Sequence, residues 1–188
     1  MSQKSICVYC GSQPGKSPQY VNSAQVLGQD IASNKIRLVY GAGNYGIMGH
    51  VAKSTADNGG AVFGIIPKFL TEFERKGDQL EIDMEMLITP DMHTRKQRMF
   101  EESDAFVAMP GGIGTLEELI EIMTWAQLGR HDKPIVLANI DGFWNPLIAL
   151  YEHMSAEGFI HTENKARPLI AEKAEDIVPM IMKHWEEN

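Results

Sequence analysis

Alternation of short β-branched runs with longer amphipathic stretches predicts a single-domain doubly wound α/β protein, a parallel sheet with helices on both faces. Two further observations support this class. Glycine-bearing turns directly follow several of the runs, as they do where a strand hands over to a crossover helix. A chain of 188 residues can also bury one sizeable core without disulfide or metal staples, so residues 1–188 are read as one α/β domain.

In chain order, residues 6–9 (ICVY) form the first short apolar run, a buried strand, and an amphipathic helix over 20–33 follows. The next strand, 37–40 (RLVY), runs through a glycine loop into a helix over 46–58. Strand 61–66 (AVFGII) ends at Pro67, and the polar, unpatterned stretch 79–84 reads as a loop. Strand 86–89 leads to a helix over 92–102, strand 105–109 to a second glycine loop and a helix over 116–128, and strand 134–140 to a helix over 144–157. The tail, 174–188, reads as a terminal helix. Each helix serves as a crossover, because parallel neighbours cannot be joined by a tight hairpin.

In doubly wound sheets, ligands bind outside the carboxyl ends of the strands. Here those ends read Cys10-Gly11-Ser12, Gly41-Ala42-Gly43, Pro67-Lys68 and Pro110-Gly111-Gly112. Gly41, Gly43 and Gly46 make a G-x-G-x-x-G in the strand–turn–helix setting of a dinucleotide fingerprint. The acidic residue that such a site needs at the end of the next strand is missing, since that strand ends Ile65-Ile66-Pro67-Lys68; this argues against NAD. Two readings stay open: a loop that lets a nucleotide phosphate approach the backbone, or glycines that serve only a tight turn and close packing.

The second loop, Pro110-Gly111-Gly112-Ile113-Gly114-Thr115-Leu116-Glu117-Glu118, exposes backbone N–H groups at a helix N-terminus, where a phosphate is favoured. It lacks the Gly-Lys-Ser/Thr ending of a triphosphate loop. Thr115 and Glu118 also match a capping box, which would give Glu118 a structural task. On the helix over 92–102, Met92, Arg95, Lys96, Met99 and Phe100 share one face, so two cations interrupt an apolar stripe. A buried cation needs a partner: either carboxylates of the protein or an anionic ligand meet Arg95 and Lys96. Arg98 falls outside the stripe and is expected in solvent.

Other features point to packing. Cys7 and Cys10 lie within the first strand pattern rather than at an exposed strand-to-helix turn, and core packing is the better reading. The six histidines show no paired ligand spacing, so no metal site is expected. The methionines of the last helix read as core filler. A net charge of −8 argues against nucleic-acid and membrane-surface partners. No run approaches the ~20 apolar residues of a membrane span, and the start lacks the apolar run of a secretory signal, so a cytoplasmic location is expected.

The pairing of Met92-His93-Thr94-Arg95-Lys96-Gln97-Arg98-Met99 with the Pro110 to Glu118 loop resembles the Lonely Guy family of cytokinin riboside 5′-monophosphate phosphoribohydrolases. The resemblance also takes in Cys10-Gly11-Ser12, Tyr40-Gly41-Ala42-Gly43, Gly64-Ile65-Ile66-Pro67, Thr124-Trp125-Ala126-Gln127-Leu128-Gly129 and Glu157-Gly158-Phe159, nearly the whole chain. It implies a Rossmann-like fold, a homodimer, a nucleoside monophosphate as small-molecule substrate, and hydrolysis to free base and ribose 5-phosphate. It further implies that Arg95 and Glu118 are catalytic, and that Lys96, Gly112, Ile113, Gly114, Thr115, Leu116, Glu117, Thr124 and, more distantly, Glu74 contact the nucleotide. Gly11, Ser12, Gly41, Gly43, Gly46 and Gly111 join the site as strand-end residues. Members have been labelled lysine decarboxylases, but no lysine here stands in a pyridoxal phosphate context, and no cofactor is expected. Leu116, Leu119, Ile120 and Met123 make one apolar stripe while Ile122 and Trp125 lie off it, which suits a helix at a homodimer interface.

Overall fold

The computed structural model describes residues 3–71, 80–160 and 167–187. Its strands are β1 (Ser5–Tyr9), β2 (Arg37–Tyr40), β3 (Val62–Pro67), β4 (Glu85–Thr89), β5 (Ala105–Ala108), β6 (Ile135–Ala138) and β7 (Leu169–Ala171). Its helices are α1 (Pro18–Ser33), α2 (Gly46–Asp57), α3 (Met92–Glu101), α4 (Ile113–Gln127), α5 (Asn145–Ala156) and α6 (Ile177–Glu187). Among the described residues the strands make one sheet in the order β4-β3-β2-β1-β5-β6-β7, with every pairing parallel.

The period of two along each strand distributes the core between two layers. On β1, Ile6 and Val8 face a layer built from α1, α2 and α6, together with Leu38, Tyr40 and Val107 of the neighbouring strands. Cys7 and Tyr9 face the opposite layer of α3, α4 and α5, together with Val39, Phe63 and Phe106. Helix α1 buries Ala24, Leu27, Gly28, Ile31 and Ala32, one stripe at helical spacing. Its start is fixed chemically: Pro18 stands in the first turn, and the Ser17 hydroxyl accepts from the Gln19 N–H at 3.2 Å.

The structure departs from the sequence reading at several ends. Strand β7 carries no signal at three residues, on a sheet edge with only Ala171 buried. Strand β6 stops at Ala138, because a 3-10 turn over Ile140–Gly142, with Asp141 at φ 52, redirects the chain. The last helix begins at Ile177, after a 3-10 turn over Ala174–Asp176. Helix α4 begins at Ile113, a turn before the expected start. Both cysteines are buried and free; burial, reinforced by the charge of Glu118, pushes the Cys7 thiol far above its ordinary value.

The strand order marks where a crevice opens. The chain steps outward from β1 through β2 and β3 to β4, and α3 then carries it back to β5 on the other side of β1. The direction of winding reverses between β1 and β5, which opens a crevice at their carboxyl ends. The two loops that border this crevice are the ones that follow Cys10 and Pro110.

Candidate active site

The loops at the crevice are tied together through their backbones. The Gly11 N–H donates to Pro110 O at 3.0 Å, and Gly11 O accepts from the Met48 N–H at 3.2 Å. This joins the loop after β1 to the loop after β5 and to the first turn of α2. Gly46 has φ +59, and a Cβ there would strike the Ser12 carbonyl group. A Cβ on Gly111 would strike the Thr115 hydroxyl. Ala42 occupies the left-handed region at φ 63, the kind of backbone strain that gathers at binding loops.

Gly112 and Gly114 are different: a Cβ at either position would meet nothing within 4 Å. Space does not demand glycine at either position, and at Gly114, inside the helix, glycine costs about 1 kcal/mol relative to alanine. Ile113, Gly114 and Thr115, whose amides open α4, border an open cavity. These amides have no partner within the helix, whose N-cap is Gly112. The capping box is therefore not formed: Thr115 lies inside the first turn instead of at its cap, and Glu118 is one turn too far along to reach back.

In front of this helix start lies a cavity of about 380 Å³, with Arg95 and Met92 of α3 on one wall and Gly112, Gly114, Glu117 and Glu118 of α4 on another. Arg95 is 5% exposed. Its Nε donates to Ile65 O at 3.1 Å and its Nη2 to Gly41 O at 3.4 Å, and no carboxylate among the described residues lies within ion-pairing distance. Gly41 makes this possible, since a side chain there would collide with the guanidinium. The charges of Arg95 and Glu118 both reach Cys7 in the sheet below, where they act in opposite directions on its thiol. A second lobe of about 240 Å³ shares Gly11, Ser12 and Gly112 with the first and is walled by Ile47, Tyr20 and Phe143. A larger cavity of about 560 Å³ lies at the opposite, amino-terminal ends of β6 and β7, far from the glycine loops.

The fold thus gathers Gly11, Ser12, Arg95, Gly111, Gly112, Ile113, Gly114, Thr115, Glu117 and Glu118 around one crevice. Gly41, Gly43 and Gly46 are buried behind it. Lys96 points elsewhere: its Nζ pairs with Glu117 at 2.7 Å and Glu121 at 3.1 Å, so the two neighbouring cations divide between the two kinds of partner. Arg98 pairs with Glu101 at 3.1 Å and Glu102 at 2.8 Å rather than standing alone in solvent. Thr124 is exposed, with its hydroxyl bonded to Ile120 O at 2.7 Å, and Leu116 packs against the α3–α5 layer. Glu74 lies outside the described residues. No sequence signal pointed to Tyr20 and Phe143, which come from α1 and the turn after β6 and meet edge to face with ring centroids 5.7 Å apart. Among the described residues no His, Cys, Asp and Glu side chains cluster as a metal site, and no helix is long and apolar enough to cross a membrane.

Comparison with known proteins identifies the family and the fold. The family model described as "Possible lysine decarboxylase" matches residues 48–181. A probable cytokinin riboside 5′-monophosphate phosphoribohydrolase of Oryza sativa subsp. japonica is 48% identical, over 84% of this chain and 70% of its own length. One from Arabidopsis thaliana is 44% identical over 95% of this chain and 82% of its own length, and one from Rhodococcoides fascians is 39% identical over 95% and 89%. Among solved structures, the molybdenum cofactor binding protein of Rippkaea orientalis (TM-score 0.69, 22% identity, 98% of this chain and 99% of that one) shares the fold. So does the Moco carrier protein of Chlamydomonas reinhardtii (TM-score 0.71, 18% identity, all of both chains). At such low identity those two show the fold alone, whereas the curated relatives show kinship over nearly the whole sequence. The match from α2 to α6 and the identity to relatives from plants and a bacterium place this chain in the cytokinin riboside 5′-monophosphate phosphoribohydrolase family.

Proposed function

We propose that this chain hydrolyses the N-glycosidic bond of adenosine 5′-monophosphate or its N6-modified forms, releasing the free base and ribose 5-phosphate. The observation that carries the reading is the pairing, across one crevice, of a buried arginine held by backbone carbonyls with a glutamate on the first turns of α4. Cleavage of a glycosidic bond passes through an oxocarbenium-like transition state, and a carboxylate beside the anomeric carbon stabilises it while orienting the attacking water. Glu118 takes this role. The amides of Ile113, Gly114 and Thr115 hold the 5′-phosphate, favoured by the positive end of the helix dipole. Arg95 supplies the planar donor fork that clamps the nucleotide, with its permanent charge already oriented by Ile65 O and Gly41 O.

The protein acts as a cytoplasmic homodimer in this reading. The buried face of α4 is Thr115, Leu119, Ile122, Met123 and Ala126, so Ile122 belongs to the core and Ile120 does not. Its opposite face presents Ile113, Ile120 and, at its end, Leu128, which are 82%, 39% and 70% exposed. An apolar stripe next to a catalytic crevice is the natural seat of a second copy.

Substitution tests the roles. Glu118→Gln keeps size and polarity while removing the charge, and base release falls about a hundredfold to a thousandfold, the cost of about 2.7 to 4 kcal/mol of transition-state stabilisation. Arg95→Ala lowers kcat and raises KM together, because it removes a contact made in the ground state and strengthened in the transition state. Retention of most of the turnover number by Glu118→Gln, in a folded protein, would show that this carboxylate does not serve the reaction.

A further inference from the structure

We propose that Glu121 and Lys96 are positioning residues: the Glu117–Lys96–Glu121 cluster fixes the rotation of α4 against α3 and so sets Glu118 relative to Arg95. The kinetic part of this inference rests on the phosphoribohydrolase reading; the clamp itself rests on geometry.

Successive residues on a helix are turned by about 100°. On α3, Arg95 therefore faces the crevice while Lys96 faces α4. On α4, Glu117 and Glu121 stand four residues apart on one side, and both reach the Lys96 ammonium, at 2.7 Å and 3.1 Å. Glu118 lies between that side and the buried face of Thr115 and Ile122. Any rotation of α4 that moves Glu118 must break one of the two ion pairs.

The cluster is not an ordinary surface pair. Only 14% of the Lys96 side chain and 26% of that of Glu121 is exposed. Burial works against the charged ammonium, yet its hydrogen bonds to Glu117 and Glu121 outweigh this and hold Lys96 above its ordinary value. Two of the three ammonium donors are committed to carboxylates, and two anions surround the one cation. An incoming phosphate would meet net negative charge at this point, unlike at Arg95.

Two measurements on the full chain decide the matter. In steady-state kinetics of base release, Lys96→Met and Glu121→Gln each lower kcat by about tenfold or more, as expected when reacting groups are misplaced by a fraction of an ångström to 1 Å, and leave KM within about twofold. The double variant is no worse than Lys96→Met alone, since both changes break one unit. A Lys96→Met enzyme with raised KM and unchanged kcat would overturn the proposal in favour of direct phosphate binding, as would a Glu121→Gln enzyme with unchanged kcat. Hydrogen exchange supplies the readout that does not depend on activity. The amides of α4 exchange faster in both variants while those of α1 and α2 do not; unchanged exchange in α4 would overturn the clamp. If the unsubstituted protein released no base, the phosphoribohydrolase reading would fall, and exchange would still decide the clamp.

Discussion

Arg95 and Lys96 show how far a single residue's task depends on its helical phase. Side by side in sequence, one lines the crevice and makes its bonds to Ile65 O and Gly41 O behind it, and the other pairs with Glu117 and Glu121. The sequence shows two cations in an apolar stripe and no more, because the choice of partner is made by whichever element packs against each direction of the helix. Gly114 is a second case at this scale. Alanine is the better helix former there and would touch nothing in the protein. Gly114→Ala is therefore expected to leave the fold intact or raise its melting temperature, while KM for the nucleoside monophosphate increases because a methyl group stands where the phosphate must approach. Thermal denaturation and steady-state kinetics on one preparation check both halves. A variant that is more stable and binds substrate unchanged would remove the phosphate from this helix start.

At the scale of elements, α4 carries most of the account. Its inner face packs on the sheet, its first turn presents free amides, its flank meets Lys96, and its outer face leaves Ile113, Ile120 and Leu128 in solvent. If the proposed dimer forms through this face, Ile120→Glu and Leu128→Glu shift sedimentation toward the mass of one chain, 21.0 kDa, without loss of helical signal. Sedimentation of the unsubstituted protein as a monomer at micromolar concentration would contradict the interface. The start of this helix was the hardest boundary to read. Gly-Gly-Ile-Gly reads as loop because glycine disfavours helix, and Thr115 with Glu118 imitates a cap, yet the helix begins at Ile113. A helix can begin on such residues when its open amides face a ligand, so the misread boundary and the candidate site coincide.

For the whole molecule, the parallel sheet was legible because β1, β2, β3, β5 and β6, apart from Ser5 and the partly buried Arg37 at their starts, are buried on both faces and read as largely apolar runs. Strand β7 was not, because a three-residue edge strand has too little pattern to distinguish it from a loop. The glycines at the strand ends pointed to the crevice taken as the candidate site, but the strand order that brings Gly11 against Pro110 could not be read from sequence, nor could the aromatic lobe of Tyr20 and Phe143. What the fold adds is a crevice at the reversal of winding, with an open helix start, a carboxylate and an oriented arginine around it. On the proposed reading, this crevice takes a nucleoside 5′-monophosphate and cleaves its glycosidic bond. Incubation with AMP, an N6-prenylated AMP and the corresponding nucleosides, followed by chromatographic separation of free base and ribose 5-phosphate, tests it most directly. Base is expected from the monophosphates, with the nucleosides poor substrates; equal turnover of nucleoside and monophosphate, or tight binding of the monophosphates with no base released, would contradict it.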